Sequence, residues 1–289
     1  MHALRFPRQL GILFVFLLIT LFSATICMAD GTPDAAGSPG NPQGFENSAR
    51  QKEWDVKVGL GMRVGPRYEG GGEYTLSPVP YFNIAWRDIV NLGLGGLNLN
   101  LLRGRDYKFG AGITYNPGRD EKGSSFFGTS LSGTDERLRG LGDIDPALGF
   151  RAFGAYMLGP LALNASITKY IGDQNDGVLV NFGVSLPWHP MNKLTLTPNI
   201  VATWADDKYM QTFFGVTQFQ SSRSGLAAFN AESGIKDVTL GLNATYLVDR
   251  HWFVSSDAGV KQLEGDADRS PITESGTSAT FGTVVGYHF

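Results

Sequence analysis

Residues Trp54-Asp55-Val56-Lys57-Val58-Gly59-Leu60-Gly61-Met62-Arg63-Val64 alternate without a break. Even positions are Trp54, Val56, Val58, Leu60, Met62 and Val64; odd positions are Asp55, Lys57, Gly59, Gly61 and Arg63. A period of two places one set on each side of a β-strand, here one face wholly apolar and the other polar or bare. The same alternation recurs at Tyr107–Tyr115, Leu148–Tyr156, Val178–Trp188, Val238–Val248 and Phe281–Phe289. Weaker versions occupy 75–86, 89–102, 161–171, 193–204, 228–236 and 252–262. The total is about twelve strands by period-two counting, with ten or fourteen as alternatives.

Composition narrows what such strands can build. Only 18% of residues are charged, glycine accounts for 38 of 289, and aromatic residues reach 12%. Apolar content of 42% excludes disorder. A net charge of −3 with no basic run excludes a nucleic-acid partner. A mean hydropathy of −0.08 excludes a bundle of transmembrane helices.

Alternation alone also fits a soluble sandwich or a lipocalin-like barrel. Three features favour a membrane barrel. Trp54, Trp86, Trp188, Trp204 and Trp252 all fall at proposed strand ends on the apolar face, as an interfacial aromatic girdle requires. The opposite face mixes charge with glycine, as a wet or loop-filled lumen does. The chain ends on Phe289, with Phe281 and Tyr287 alternating back from it, like the C-terminal strand signal read by the barrel assembly machinery. In lipid every backbone N–H and C=O must be paired internally, so the sheet must close. The expected fold is therefore all-β: a closed antiparallel transmembrane β-barrel in contact with outer-membrane lipid.

Residues 1–29 read as a secretory signal peptide: Arg5 and Arg8, an apolar run from Leu10 to Ala24, then Cys27-Met28-Ala29. A membrane anchor or a lipidated Cys27 are the alternatives. Residues 30–50, rich in Gly, Pro, Asp, Asn and Ser, read as a flexible periplasmic linker. The barrel domain then covers 51–289. Cleavage after Ala29 leaves no cysteine and hence no disulfide framework.

The inward face carries Lys57, Arg63, Lys108, Arg151, Glu232, Lys236, Asp257 and Lys261, which predicts a mildly cationic lumen. Many inward glycines leave room for water, so a small-solute channel is one candidate function. Counting strands from a periplasmic start puts loops 117–146 and 206–224 on the periplasmic side, where barrels keep turns short. Either a strand is hidden in each loop or these loops are periplasmic features.

Catalysis is not expected. His189, His251 and His288 lie in turns or at the last strand's end, with no nucleophile motif, zinc motif or phosphate loop. Asp249 with His251 reads as turn polarity. Asp143 with Asp145, and Asp266 with Asp268, read as turns and solvated loop rather than cation sites. No metal or cofactor is expected.

The loops hold the most distinctive strings. They are Gly65-Pro66-Arg67-Tyr68-Glu69-Gly70, Leu138-Arg139-Gly140-Leu141-Gly142-Asp143-Ile144-Asp145, and Tyr209-Met210-Gln211-Thr212-Phe213-Phe214-Gly215-Val216-Thr217 followed by Ser224-Gly225-Leu226. Then come Leu263-Glu264-Gly265-Asp266-Ala267-Asp268-Arg269-Ser270-Pro271-Ile272 and the terminal Tyr287-His288-Phe289. In this order, from Trp54 to Phe289, the chain resembles the MipA/OmpV family of Gram-negative outer-membrane proteins. The resemblance implies a barrel and a scaffold role, joining a lytic murein transglycosylase to a penicillin-binding murein synthase. Leu138, Asp143, Asp145, Tyr209, Phe213, Phe214 and Val216 are the candidates for partner docking. The alternative for Phe213-Phe214 is packing into the barrel mouth, because adjacent loop aromatics should not face water.

Overall fold

The computed structural model describes residues 53–121, 125–126, 129–130, 136–173 and 175–289. The proposed signal peptide 1–29 and linker 30–50 lie outside them. Twelve antiparallel strands close into a barrel. In chain order these are β1 (Trp54–Pro66), β2 (Tyr74–Trp86), β3 (Val90–Gly93), β4 (Gly96–Arg103) and β5 (Tyr107–Asn116). A separate small hairpin follows, β6 (Ser125–Phe126) and β7 (Thr129–Ser130). The wall resumes with β8 (Ala147–Leu158), β9 (Leu161–Ile171) and β10 (Val178–Ser185). β11 (Trp188–Met191) continues the edge of β10 along β12 (Leu194–Ala205), and the two count as one stave. β13 (Gly234–Leu247), β14 (Trp252–Leu263) and β15 (Thr277–His288) complete the ring, and β15 pairs with β1 to close it.

The side-chain pattern is inside out relative to a soluble barrel. Leu60, Phe182 and Leu240 stand outward, each more than 60% exposed. Arg151, Ser166, Thr168, Thr203 and Asp237 point inward and are buried. An apolar outer belt around a polar interior is what a bilayer demands of a closed sheet. Among the described residues no helix is long and apolar enough to cross a membrane.

Two segments differ from the sequence reading; the first reverses the placement of loops 117–146 and 206–224, and the second restores the total. The segment 89–102 is two strands, β3 and β4, folded back at Leu94-Gly95. The segment 228–236 is not a strand of its own; Phe229 makes only an isolated bridge to Val216, and β13 starts at Gly234. The count stays at twelve, but the parity changes. The long connections after β1, β5, β12 and β14 all emerge at one end, and both chain ends of the barrel domain lie at the other. The expectation that loops 117–146 and 206–224 share the side of the termini is thereby corrected. Long loops opposite the termini are the usual extracellular arrangement.

The turn end is tight. Arg87 and Asp88 both adopt positive φ (49° and 53°), and Ile89 N–H bonds Trp86 O at 2.9 Å. This left-handed pair matches the strand twist of a two-residue hairpin, at the cost of placing two non-glycine residues there. Trp54, Trp86, Trp188 and Trp252 lie at this end, and Trp204 alone at the loop end.

Candidate functional site

The loop end is filled rather than open. Helix α1 (Asp207–Phe214) follows β12 directly and is capped by Asp206, whose side chain accepts from Tyr209 N–H. Helix α2 (Gln218–Ser224) starts with a reciprocal Thr217/Gln220 capping box and ends at Gly225, which is left-handed (φ 76°). Helix α3 (Gly265–Arg269) lies in the β14–β15 loop. These elements bury Met210 and Phe214 completely, together with Tyr209, Phe213, Ile144, Ala267 and the wall residues Tyr170, Leu179 and Leu263. A second cluster joins Tyr68, Leu138, Leu141, Val216 and Ile272. Four loops and the inner wall thus share these two clusters, with Phe229 packed against both. Burying such side chains is worth about 1.5–3 kcal/mol each.

Polar contacts lock the loops to one another. Arg119 Nη1 donates to Phe213 O at 2.8 Å and Ser270 Oγ to Phe214 O at 2.6 Å, so both last carbonyls of α1 are used. Tyr68 Oη donates to Ile272 O at 3.0 Å. The Glu121 carboxylate accepts from Gly140 N–H and Gly142 N–H. A β-carbon on Gly140 would come within 2.7 Å of the Arg223 backbone, so only glycine lets these two loops approach.

Directly under this plug sits a buried charge cluster. Opposite β12, Thr203 pairs with Asp237 but Trp204 pairs with Ile235, so Lys236 is an extra residue, a β-bulge. The bulge turns adjacent Lys236 and Asp237 both into the barrel. Lys236 Nζ lies 2.6 Å from Asp237 Oδ2, and Lys261 Nζ lies 2.8 Å from Glu69 Oε1 and 3.5 Å from Asp237 Oδ2. Thr203 and Thr239 hydroxyls also bond Asp237. Two ammoniums and two carboxylates balance. Glu69, in the β1–β2 loop, is pushed up by burial but pulled down further by Lys236 and Lys261, so its carboxyl sits below the usual range.

The expected lumen charges divide accordingly. Lys57, Arg63, Lys108, Arg151, Lys236, Asp257 and Lys261 do occupy inward positions. Glu232 does not: it precedes β13 and stands exposed on the rim, its N–H bonded to Asp266. Carboxylates that strand phase does not count pair with four of the inward lysines: Lys57 with Asp55, Lys108 with Asp88, and Lys236 and Lys261 with Glu69 and Asp237. Asp237 and Glu69 were not singled out from sequence. Asp237 was signalled by a phase slip, since outward Ile235 and Val238 are three apart.

Of the docking candidates, Tyr209, Phe213, Phe214, Val216 and Leu138 are buried in the plug. Asp143 and Asp145 are exposed, and Asp143 Oδ1 accepts from Glu121 N–H. At the turn end, Asp249 Oδ1 accepts from the N–H groups of His251 and Trp252, which hold its carboxyl below the usual range. His251 stacks on Tyr287, and His288 Nε2 lies 3.4 Å from Asp55.

A sequence profile described as MltA-interacting protein MipA matches residues 58–289. A protein of Escherichia coli (strain K12), provisionally described as outer membrane protein YiaT, is 27% identical over 129 residues, 44% of this chain and 51% of its own. The MltA-interacting protein of the same organism is 28% identical over 96 residues, 33% of this chain and 38% of its own. The chain thus spans about half the length, or less, of the curated relatives it matches. Among solved structures, a loop-deleted OmpT of Vibrio cholerae aligns over 82% of this chain and 98% of its own, with a TM-score of 0.38 and 9% identity. Pseudomonas aeruginosa OprD aligns over 84% and 68%, with a TM-score of 0.37 and 13% identity. The first of these is an outer membrane protein.

Proposed function

This chain belongs to the MipA family and is an outer-membrane β-barrel, and from that premise we propose that it is a non-enzymatic scaffold for murein-metabolising partners. The observation that carries the proposal is the plug: Met210 and Phe214 are fully buried where a pore would open. A mouth closed by a core continuous with four loops favours holding a shape over passing solute. The name of the relative similar over 96 residues adds the partner class, a murein lytic transglycosylase, and the family resemblance adds a penicillin-binding synthase. The parity of the strands moves the docking face. With the long loops opposite the termini, the periplasmic surface of the barrel consists of the short turns, including exposed Arg105, Asp106, Met191, Lys193 and Arg250.

The test is capture of a lytic murein transglycosylase and a murein synthase by the detergent-solubilised chain. Capture is expected to fall at least tenfold when Arg105→Glu and Arg250→Glu are combined on the turn face, and to persist with Arg139→Glu on the loop face. No retained partner in any detergent that keeps the barrel folded overturns the reading.

The competing reading, a small-solute channel, draws on the inward glycines. The plugged chain is expected to be silent in planar bilayers, whereas deletion of 207–231 opens discrete conductance steps. Steady steps from the intact chain would reverse the preference.

A further inference from the structure

Among the described residues the barrel wall has a gap. The β3–β4 hairpin turns back at Leu94-Gly95, so above Asn83 strand β2 pairs with β1 alone. Above Ile113, β5 pairs with β8 alone. Two strands are missing from the upper wall, which in an undistorted sheet leaves about 14 Å between the axes of β2 and β5.

The sequence is adapted to this edge. Backbone bonds between Arg87 and Glu53, and between Arg67 and Glu73, fix the parity: odd-numbered residues of β2 bond β1. Even-numbered Leu76, Pro78 and Pro80 therefore turn their backbone toward the gap. Two of these three lack an N–H. Prolines are well tolerated on such unpaired edges, and they stop the edge from templating another strand. Strand addition by a second protein is thereby disfavoured. The outward side chains bordering the gap, Leu76, Leu92 and Ile113, are exposed and apolar, so the gap faces lipid.

On the inner face lie two unused charges, one strand (β1) and three strands (β14) from the edge strand β2. Arg63 on β1 neighbours Ser77 of β2 on one side and Gly282 of β15 on the other. Asp257 on β14 also flanks Gly282, its Oδ1 2.6 Å from where a β-carbon there would stand. Among the described residues neither Arg63 nor Asp257 has an ion pair or side-chain hydrogen bond, whereas Lys57, Lys108, Lys236 and Lys261 all do. Gly59 and Gly61 leave the adjoining wall bare.

We propose that this gap admits a zwitterionic phospholipid from the bilayer. Its phosphate is held by Arg63, its headgroup ammonium by Asp257, and its acyl chains leave between β2 and β5 past Pro78 and Pro80. An opposite-charge pair, unpaired and separated by a bare glycine, matches a phosphoethanolamine headgroup better than a simple anion. The site is independent of the scaffold reading.

The test uses the barrel in bilayer nanodiscs carrying photoactivatable phosphatidylethanolamine or, in a parallel arm, photoactivatable phosphatidylglycerol. Cross-links with phosphatidylethanolamine are expected to concentrate on 76–82 and 94–95. Asp257→Asn is expected to lower that labelling at least fivefold and leave phosphatidylglycerol labelling unchanged; Arg63→Gln lowers both. Heat-modifiable gel migration checks that each variant is folded. Val79→Trp, which enters the lumen from β2 opposite Gly61 beside the gap and leaves both charged residues in place, lowers both as a second variant. Labels spread evenly over the outward face of every strand, or phosphatidylethanolamine labelling indifferent to Asp257→Asn, overturn the proposal.

Discussion

Lys236 Nζ lies 2.5 Å from Glu69 Oε1 although the residues are 167 positions apart. The contact ties the first loop to the bulged start of β13 directly beneath the plug. Removing one member of a buried ion cluster strands an uncompensated charge, which costs about 3–5 kcal/mol. Glu69→Gln is therefore expected to lower the temperature at which the barrel loses its folded gel migration. Glu69→Gln combined with Lys236→Gln restores neutrality and is expected to cost less than the two single changes added. Additive losses in that double-mutant cycle would show that the four groups act separately.

Acid should loosen the plug from its rim before it opens the wall. Asp176, in the β9–β10 loop, is held down to about 2 by hydrogen bonds from Lys169 and Lys208, the latter on α1. Its folded value lies below the unfolded value near 3.9. The stabilisation is thus complete above that value and lost as pH falls toward about 2. Glu69 is shifted in the same direction and adds to the same loss. The protection factors of the α1 amides, measured against the intrinsic exchange rate at each pH, are expected to be flat from neutral pH to about 4 and to fall below. Asp176→Asn removes part of that acid step; an unchanged profile would sink the assignment.

Phe214 separates plug stability from wall stability. It is fully buried and touches no lipid-facing surface. Phe214→Ala leaves a cavity worth about 3–5 kcal/mol. Exchange protection is expected to collapse in α1 and in 216–229 while β8, β9 and β10 stay protected. Loss of protection throughout the barrel would mean that the plug and wall fold as one cooperative unit.

The strands were legible because each obeys one rule along its own length. Trp54–Val64 needs no distant partner to show its two faces. The breaks in that rule were equally visible and carried the errors. In 90–102 the outward leucines shift from even Leu92 to odd Leu97, which marks the turn at Leu94-Gly95 that was read as continuous strand. At 235–238 a similar slip marks the bulge that pairs Lys236 with Asp237. The plug was legible only as a choice, because adjacent Phe213-Phe214 had either to pack or to dock. Contacts such as Tyr68 with Ile272 or Arg119 with Phe213 join loops that periodicity cannot connect. The partner of Lys236 and Lys261 stays hidden for that reason: Glu69 sits in a loop and carries no strand phase.

The last residue offers a way to divide folding from assembly. Phe289 lies beyond the end of β15, donates its N–H to Val56 O at 3.0 Å, and packs edge-on to Tyr287 at 4.9 Å. Tyr287 in turn meets Trp252 at 5.2 Å. Deleting Phe289 removes that backbone hydrogen bond and that aromatic contact, together worth about 1–3 kcal/mol against a twelve-stranded ring. Refolding into detergent should be nearly unaffected, as measured by heat-modifiable migration. If the terminal Phe281, Tyr287 and Phe289 are read by the assembly machinery, the amount of barrel in the outer membrane of cells should fall far more than that small loss allows. Equal yields in cells and in detergent would mean that the terminal aromatics serve only the wall they pack against.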